Sequence, residues 1–375
     1  MTAAALPTAS GPADRRLVRY VRRTVYPYSA YYRALLDGLG GGPRVDLALL
    51  PPTDLSLVGD PGRLVLRPDF GTIVRRGRRP LAAQALGSKA TGSMRSFNRR
   101  LEHEFKPVHW VLADGLPLGY SIADLHRLAG FGAEWLTRAG VGPRDVLVNL
   151  VQAGPSVGYW ELVLGARRAG VSAIGLTDAE PGLVERLVPS VIAGEAAQLV
   201  ATLTAARGEG HRLAGLQTLL VVGDPLATSV RRQLQSVSNG AAVVAAWGPA
   251  GTRAVWSECR AGSEQFEPSG YHVGDADIVE AAGDGAELLW SGVGWRGSVV
   301  VRLRTFTTAS LQRGTCPACG QPGLRVLPLT PLPRTTPSAV APPAAGVDPP
   351  RVFAPPPAVS DRPKPEPDAA PSSID

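Results

Sequence analysis

From residue 107 to residue 330 the chain alternates short apolar runs with amphipathic stretches. Asp145–Gln152 (DVLVNLVQ) reads as a buried strand, and Val171–Leu176, Leu216–Val222 and Ala241–Ala246 read as further strands. Between them, Ser156–Ala169 and about Ala227–Val237 have helical spacing. This alternation predicts an α/β fold with a largely parallel sheet. Ligands of such sheets sit at the carboxyl ends of the strands, so Ala153-Gly154-Pro155, Gly223-Asp224-Pro225 and Trp247-Gly248-Pro249 are candidate pocket walls. Nearer the start, a helix is predicted to begin after an Asp14 cap, with Leu17, Val21 and Val25 on one side and Arg15, Arg16, Arg19, Arg22 and Arg23 around it. No internal repeat is evident.

The 375 residues, 44% apolar and 6% aromatic, suffice for one large or two ordinary domains with a real core. The expected division is a basic helical and strand segment over 1–106 packed on the main domain, an α/β domain with a metal knuckle over 107–330, and a tail over 331–375. Pro331–Asp375 holds 14 of the 35 prolines and little that could form a core, which predicts a disordered, polyproline-prone tail. Such a tail is either a solvated terminus or a docking segment for a Pro-motif-binding protein. Met1–Ala13 contains no apolar h-region and no run of about 18 apolar residues occurs, so no membrane span and a cytoplasmic location are expected.

The formal charge of +7 is uneven, because residues 1–106 carry 18 Lys+Arg against 8 Asp+Glu. A basic third suits nucleic acid, an acidic membrane surface or a phosphorylated ligand, though a basic helix more often presents an ordinary solvated face. No nucleic-acid motif accompanies the charge, so no nucleic-acid partner is expected.

All three cysteines lie late in the chain. Cys316-Pro317-Ala318-Cys319-Gly320 is a C-x2-C knuckle whose turn aims two thiolates at one point, half of a tetrahedral zinc site. Cys259 and His272, the latter on a turn after Gly270, are the completing pair. A closed Cys3His set leaves no open position for substrate, so its zinc would be structural. The competing readings are three buried reduced thiols beside a solvated histidine, and a redox C-x-x-C.

The order of motifs resembles the phenylacetate-CoA ligase-like branch of the adenylate-forming superfamily. The resemblance runs through Tyr31-Tyr32-Arg33, Leu50-Pro51-Pro52-Thr53, Gly119-Tyr120-Ser121-Ile122-Ala123-Asp124-Leu125, Gly140-Val141-Gly142-Pro143-Arg144-Asp145, Pro189-Ser190 and Gly223-Asp224. The Cys259, His272, Cys316 and Cys319 arrangement is similar to the metal-ligand set of that branch. The resemblance implies ATP, Mg and a carboxylic acid as substrates of adenylation, then thioester formation with CoA or another thiol.

What it implies for the site can be set against the residues. The phosphate-cradling loop matches Ser88-Lys89-Ala90-Thr91-Gly92-Ser93, where Lys89 and Ala90 replace a Gly and a Thr; a flexible polar linker is the competing reading. The motif whose glutamate helps to hold magnesium reads Trp247-Gly248-Pro249-Ala250-Gly251, without the carboxylate. Trp247 also has a plain core reading. The motif whose aspartate grips ribose reads Arg302-Leu303-Arg304-Thr305-Phe306-Thr307, where Thr307 would cost about 1–2 kcal/mol of nucleotide affinity. Arg304 would lie near the phosphates. The catalytic lysine belongs to a C-terminal domain in the family, whereas here only Lys89, Lys106 and Lys364 occur and the tail follows Leu327. Two expectations result: a divergent acid-activating ligase, with a partner subunit lending a lysine, or a non-catalytic ligand-binding or scaffold protein recruiting partners through its tail.

Overall fold

A computed structural model describes residues 12–331 except 41, 43–45, 78, 178–179, 264–269 and 282–286. The expected tail therefore lies, apart from Pro331, outside the described residues.

The N-terminal third is helical. It comprises α1 (Pro12–Tyr20), a π-turn (Val21–Val25), α2 (Tyr26–Tyr28), α3 (Ala30–Gly38), α4 (Phe70–Arg76), α5 (Arg79–Ala90) and α6 (Met94–Phe105), with short 3-10 turns between α3 and α4. Asp14 lies inside the first turn of α1 and not at its cap, because the helix already starts at Pro12, a residue suited to the first helical position. Leu17, Val21 and Val25 are buried together as expected. Among the described residues this third carries isolated bridges to the later part of the chain (Thr53 to Leu303, Val65 to Ser298) in place of the expected strands.

A hairpin follows, β1 (His109–Ala113) and β2 (Leu116–Tyr120), closed by Asp114 and Gly115, both at positive φ as a two-residue hairpin turn requires. Next come α7 (Ile122–Arg138), β3 (Val146–Asn149), α8 (Val157–Ala169), β4 (Ser172–Gly175), α9 (Pro181–Arg186), β5 (Val191–Gly194), α10 (Ala196–Gly208), β6 (Thr218–Gly223), α11 (Thr228–Val237) and β7 (Ala242–Trp247). Strands β4, β3, β5, β6 and β7 pair in parallel in that order, which is the α/β unit read from the sequence. The chain reverses its direction of travel across the sheet between β3 and β5, the place where such sheets open a crevice at their carboxyl edge.

Beyond β7 the sheet continues in antiparallel fashion. The chain adds β8 (Trp256–Ser257), α12 (Arg260–Ser263), β9 (Tyr271–His272), β10 (Asp277–Ala281), β11 (Glu287–Gly292), β12 (Leu303–Thr315) and β13 (Pro322–Pro331). The whole is an eleven-stranded sheet ordered β10-β11-β12-β13-β9-β8-β7-β6-β5-β3-β4. One apolar cluster, running from Leu17 to Val326, joins the helical third to the sheet, and a second, including Trp135, Leu136, Leu147, Leu162, Leu220 and Val244, packs α7 and α8 against the alternate strand positions.

The motif around Ser121 has a structural cause. Ser121 caps α7 in a reciprocal box with Asp124, whose carboxylate also accepts from the backbone N–H of Arg296 (2.8 Å) and Gly297 (2.6 Å). The Arg253 guanidinium, fully buried, stacks 3.7 Å over the Tyr120 ring and donates to the carbonyls of Gly119 and Ser298. These residues lock hairpin, helix and sheet together.

Candidate metal centre and the strand-end site

Cys259 follows β8, His272 ends β9, and Cys316 and Cys319 sit in the turn joining β12 to β13. His272 is therefore on a strand and not on the turn expected from Gly270. Its register explains the assembly, since His272 is paired with Ser257 on one side and Arg325 on the other, drawing both flanking strands to it. The knuckle is closed by Cys316 N–H donating to Gln321 O (2.8 Å) and Gly320 N–H to Cys316 O (3.0 Å), with Gly320 at φ +73°.

The four ligand atoms all lie within 4.8 Å of one another. His272 Nε2 is 3.7 Å from Cys319 Sγ. A tetrahedral ion with zinc's bond lengths sets ligand atoms about 3.5–3.8 Å apart, which the His272–Cys319 pair meets, while the widest pair would close by up to about 1 Å on binding. Burial, and then the nearby Arg138 and Arg325 cations, push His272 down to about 4, leaving a neutral imidazole with a lone pair at pH 7. Cys259, Cys316 and His272 are buried, and only Cys319 is partly exposed. Three thiols and an imidazole suit zinc and not an oxygen-seeking cation. Three thiolates on a divalent ion would leave one net negative charge, and the Arg138 guanidinium lies close enough to Cys319 and Cys259 to feel them.

Sequence reasoning missed the brace behind this cluster. Glu258, beside Cys259, receives Arg231 Nη2 on both oxygens (2.6 and 2.7 Å) and Ala245 N–H (2.9 Å), all fully interior. It also missed two interior carboxyls. Burial raises Glu161 well above the usual range, although Val255 N–H donates to it (2.7 Å); burial raises Asp277 to about 6 despite the Trp256 indole N–H at 2.7 Å. Glu161 was visible as a carboxylate on the apolar face of α8, among Gly158, Leu162 and Gly165. Nothing local marked Arg231 or Asp277.

The residues assigned to nucleotide are only partly brought together. Gly223 and Trp247 are register partners at the carboxyl ends of β6 and β7, with Gly248 following. Leu303, beside Arg304, packs against the turn at Gly251, where a Cβ would meet it at 2.9 Å. Ser88, Lys89 and Ala90 form the last turn of α5, and Thr91-Gly92-Ser93 is the short link to α6. Lys89 Nζ stands 5.5 Å from the Phe70 ring centroid, and the Thr91 and Ser93 hydroxyls bond each other (2.9 Å).

Several of these groups are committed to the protein itself. Trp247 is 4% exposed and packs edge-on against Trp256 (5.4 Å) and Tyr271 (5.6 Å). Gly248 lies in a turn so close that a Cβ would sit 2.8 Å from Thr252 Oγ1. Arg304 donates from Nε and Nη2 to Glu287 (3.0–3.2 Å) and stacks on Phe306. Thr307 donates its hydroxyl to Thr305 O (3.2 Å).

No family model matches this sequence, and no curated protein matches it. Solved structures share its fold. 2-Hydroxyisobutyryl-CoA ligase in an open conformation with 2-HIB-AMP and CoA superposes with a TM-score of 0.63 at 15% identity, over 84% of this chain and 67% of that one. Its thioesterification-state complex gives the same TM-score at 17% identity. Its postadenylation complex with R3-HIB-AMP is covered to 70%, by 86% of this chain, again at 0.63 and 15% identity. The architecture is the α/β fold of adenylate-forming ligases, and this chain spans about two thirds of their length. Among the described residues no helix is long and apolar enough to cross a membrane.

Proposed function

We propose that this chain is a divergent relative of the phenylacetate-CoA ligase-like branch of adenylate-forming enzymes, holding one structural zinc and acting as a ligand-binding or scaffold protein. Cys259, His272, Cys316 and Cys319 would hold the zinc, which supplies a crosslink between β8, β9 and the β12–β13 turn. The observation that carries the non-catalytic reading is the internal commitment of Trp247, whose ring is spent on Trp256 and Tyr271 at the strand end where a nucleotide would need a wall. Residues 247–253 also offer no carboxylate for magnesium. The test is calorimetry of Mg-ATP with the full chain, its folding verified by circular dichroism. No heat of binding is expected, and binding between micromolar and low millimolar strength overturns the reading.

The retained fold favours a second reading, an acid ligase completed by a lysine from a partner subunit. There, Ser88, Lys89, Thr91, Gly92, Ser93, Gly223, Trp247, Gly248, Arg304 and Thr307 would face ATP, with Mg, a carboxylic acid and CoA as co-substrates. Mg-ATP binding in the same experiment supports it.

A further inference from the structure

Helix α5 is twelve residues long and buries one of them, Ala85. Leu86 is 51% exposed, and Val74 on the adjoining α4 is 37% exposed. A helix of this length gains its stability from packing, and among the described residues α5 packs on the core only through Ala85 and the partly buried Leu81 and Ala82. The electrostatics point the same way. Residues 63–100 hold ten Lys+Arg and one acid, Asp69. That acid is used to cap α4, accepting from Thr72 N–H at 2.8 Å. Arg75, Arg79, Arg95 and Arg99 are exposed, and among the described residues their side chains have no hydrogen-bond or ion-pair partner.

We propose that the face formed by α4, α5 and α6 docks an acidic protein, whose carboxylates meet Arg75, Arg79, Arg95 and Arg99 while an apolar strip covers Leu86 and Val74. Exposed aliphatic side chains together with exposed arginines are a mixture that protein interfaces carry. Arginine suits it, since the guanidinium binds carboxylate in a two-point fork. A second copy of this chain is disfavoured because its matching face carries the same charge. A membrane is disfavoured because two large aliphatic side chains offer little to insert. A nucleic acid is disfavoured because its phosphates would use the arginines and gain nothing from Leu86 and Val74.

Fluorescence anisotropy of the full chain with four labelled probes tests this. The probes are a helical peptide with one glutamate face and one leucine face, polyglutamate of equal charge, a 20-base-pair DNA duplex, and phosphatidylserine vesicles. The amphipathic peptide is expected to bind at least tenfold more tightly than polyglutamate, and to weaken as salt rises. Leu86→Asp, and separately the joint change of the four arginines to Gln, are expected to weaken it tenfold or more with the melting temperature unchanged. Equal binding of polyglutamate, preference for DNA or vesicles, or indifference to Leu86→Asp overturns the proposal.

Discussion

His272 Nε2 and Cys319 Sγ stand 3.7 Å apart although 47 positions separate them in the chain. The proximity comes from strand order: β13 returns beside β9, so the turn preceding β13 reaches the end of a strand laid down much earlier. Two short strands, β8 and β9 with two residues each, could hardly fix this corner by backbone pairing alone. A four-ligand crosslink would supply what they lack.

Purified protein should therefore contain about one zinc per chain by elemental analysis. Changing Cys316 and Cys319 together to Ser should abolish it and lower the melting temperature by on the order of 5–10 °C, since bound metal stabilises only the folded form. Metal-free protein of unaltered stability would dispose of the site.

Glu258→Ala should cost about 3–5 kcal/mol in urea unfolding, because it strands the Arg231 guanidinium in an interior that is 3% exposed. Replacing both residues with apolar ones of similar volume should cost much less. The contrast between single and double variants isolates the unpaired charge from the lost contact.

The α/β half was legible because β3, β5, β6 and β7 are apolar runs separated by helical spacing, each local and self-announcing. The clustering of Cys259, His272, Cys316 and Cys319 was legible for a different reason: cysteine is rare here, and its spacing carries chemistry whatever the fold. Strands β8 and β9 of the antiparallel extension were not readable, since Trp256–Ser257 and Tyr271–His272 are too short to carry a period. The helical state of Ser88–Ala90 was not legible, because polar, small residues suit the exposed end of a helix as well as a loop. Trp247 had two readings in sequence, and its packing is that of the core.

Asp277 gives a pH signature. Its folded pKa of about 6 lies above its ordinary 3.8, so between these values the folded protein keeps a proton that the unfolded chain has lost. Stability is thus highest below pH 4 for this group and declines as pH rises to about 6. Asp277→Asn should match the parent near pH 4 and exceed it above pH 6, by at most about 3 kcal/mol. Comparing the two proteins at each pH cancels any loss of metal common to both.

Helices α7 and α8 cross at two glycines. A Cβ on Gly165 would stand 2.5 Å from the carbonyl carbon of Gly132, which is backbone and cannot swing aside. Gly165→Ala should destabilise by about 1–3 kcal/mol or more, despite the higher helix propensity of alanine. Chemical denaturation would show the sign, and a gain in stability would mean that the helices stand further apart.

Trp247 tests whether the strand end is core or pocket. A large ring at 4% exposure, wedged between Trp256 and Tyr271, should cost about 3–5 kcal/mol when truncated to Ala. Trp247→Phe retains an aromatic ring in the same cluster and should cost less. If the indole served mainly as a wall for a nucleotide, both variants would leave unfolding nearly unchanged and would alter only ligand binding. Urea midpoints for the two variants, read beside Mg-ATP calorimetry on the parent, separate these cases because the packing term exists with or without a ligand.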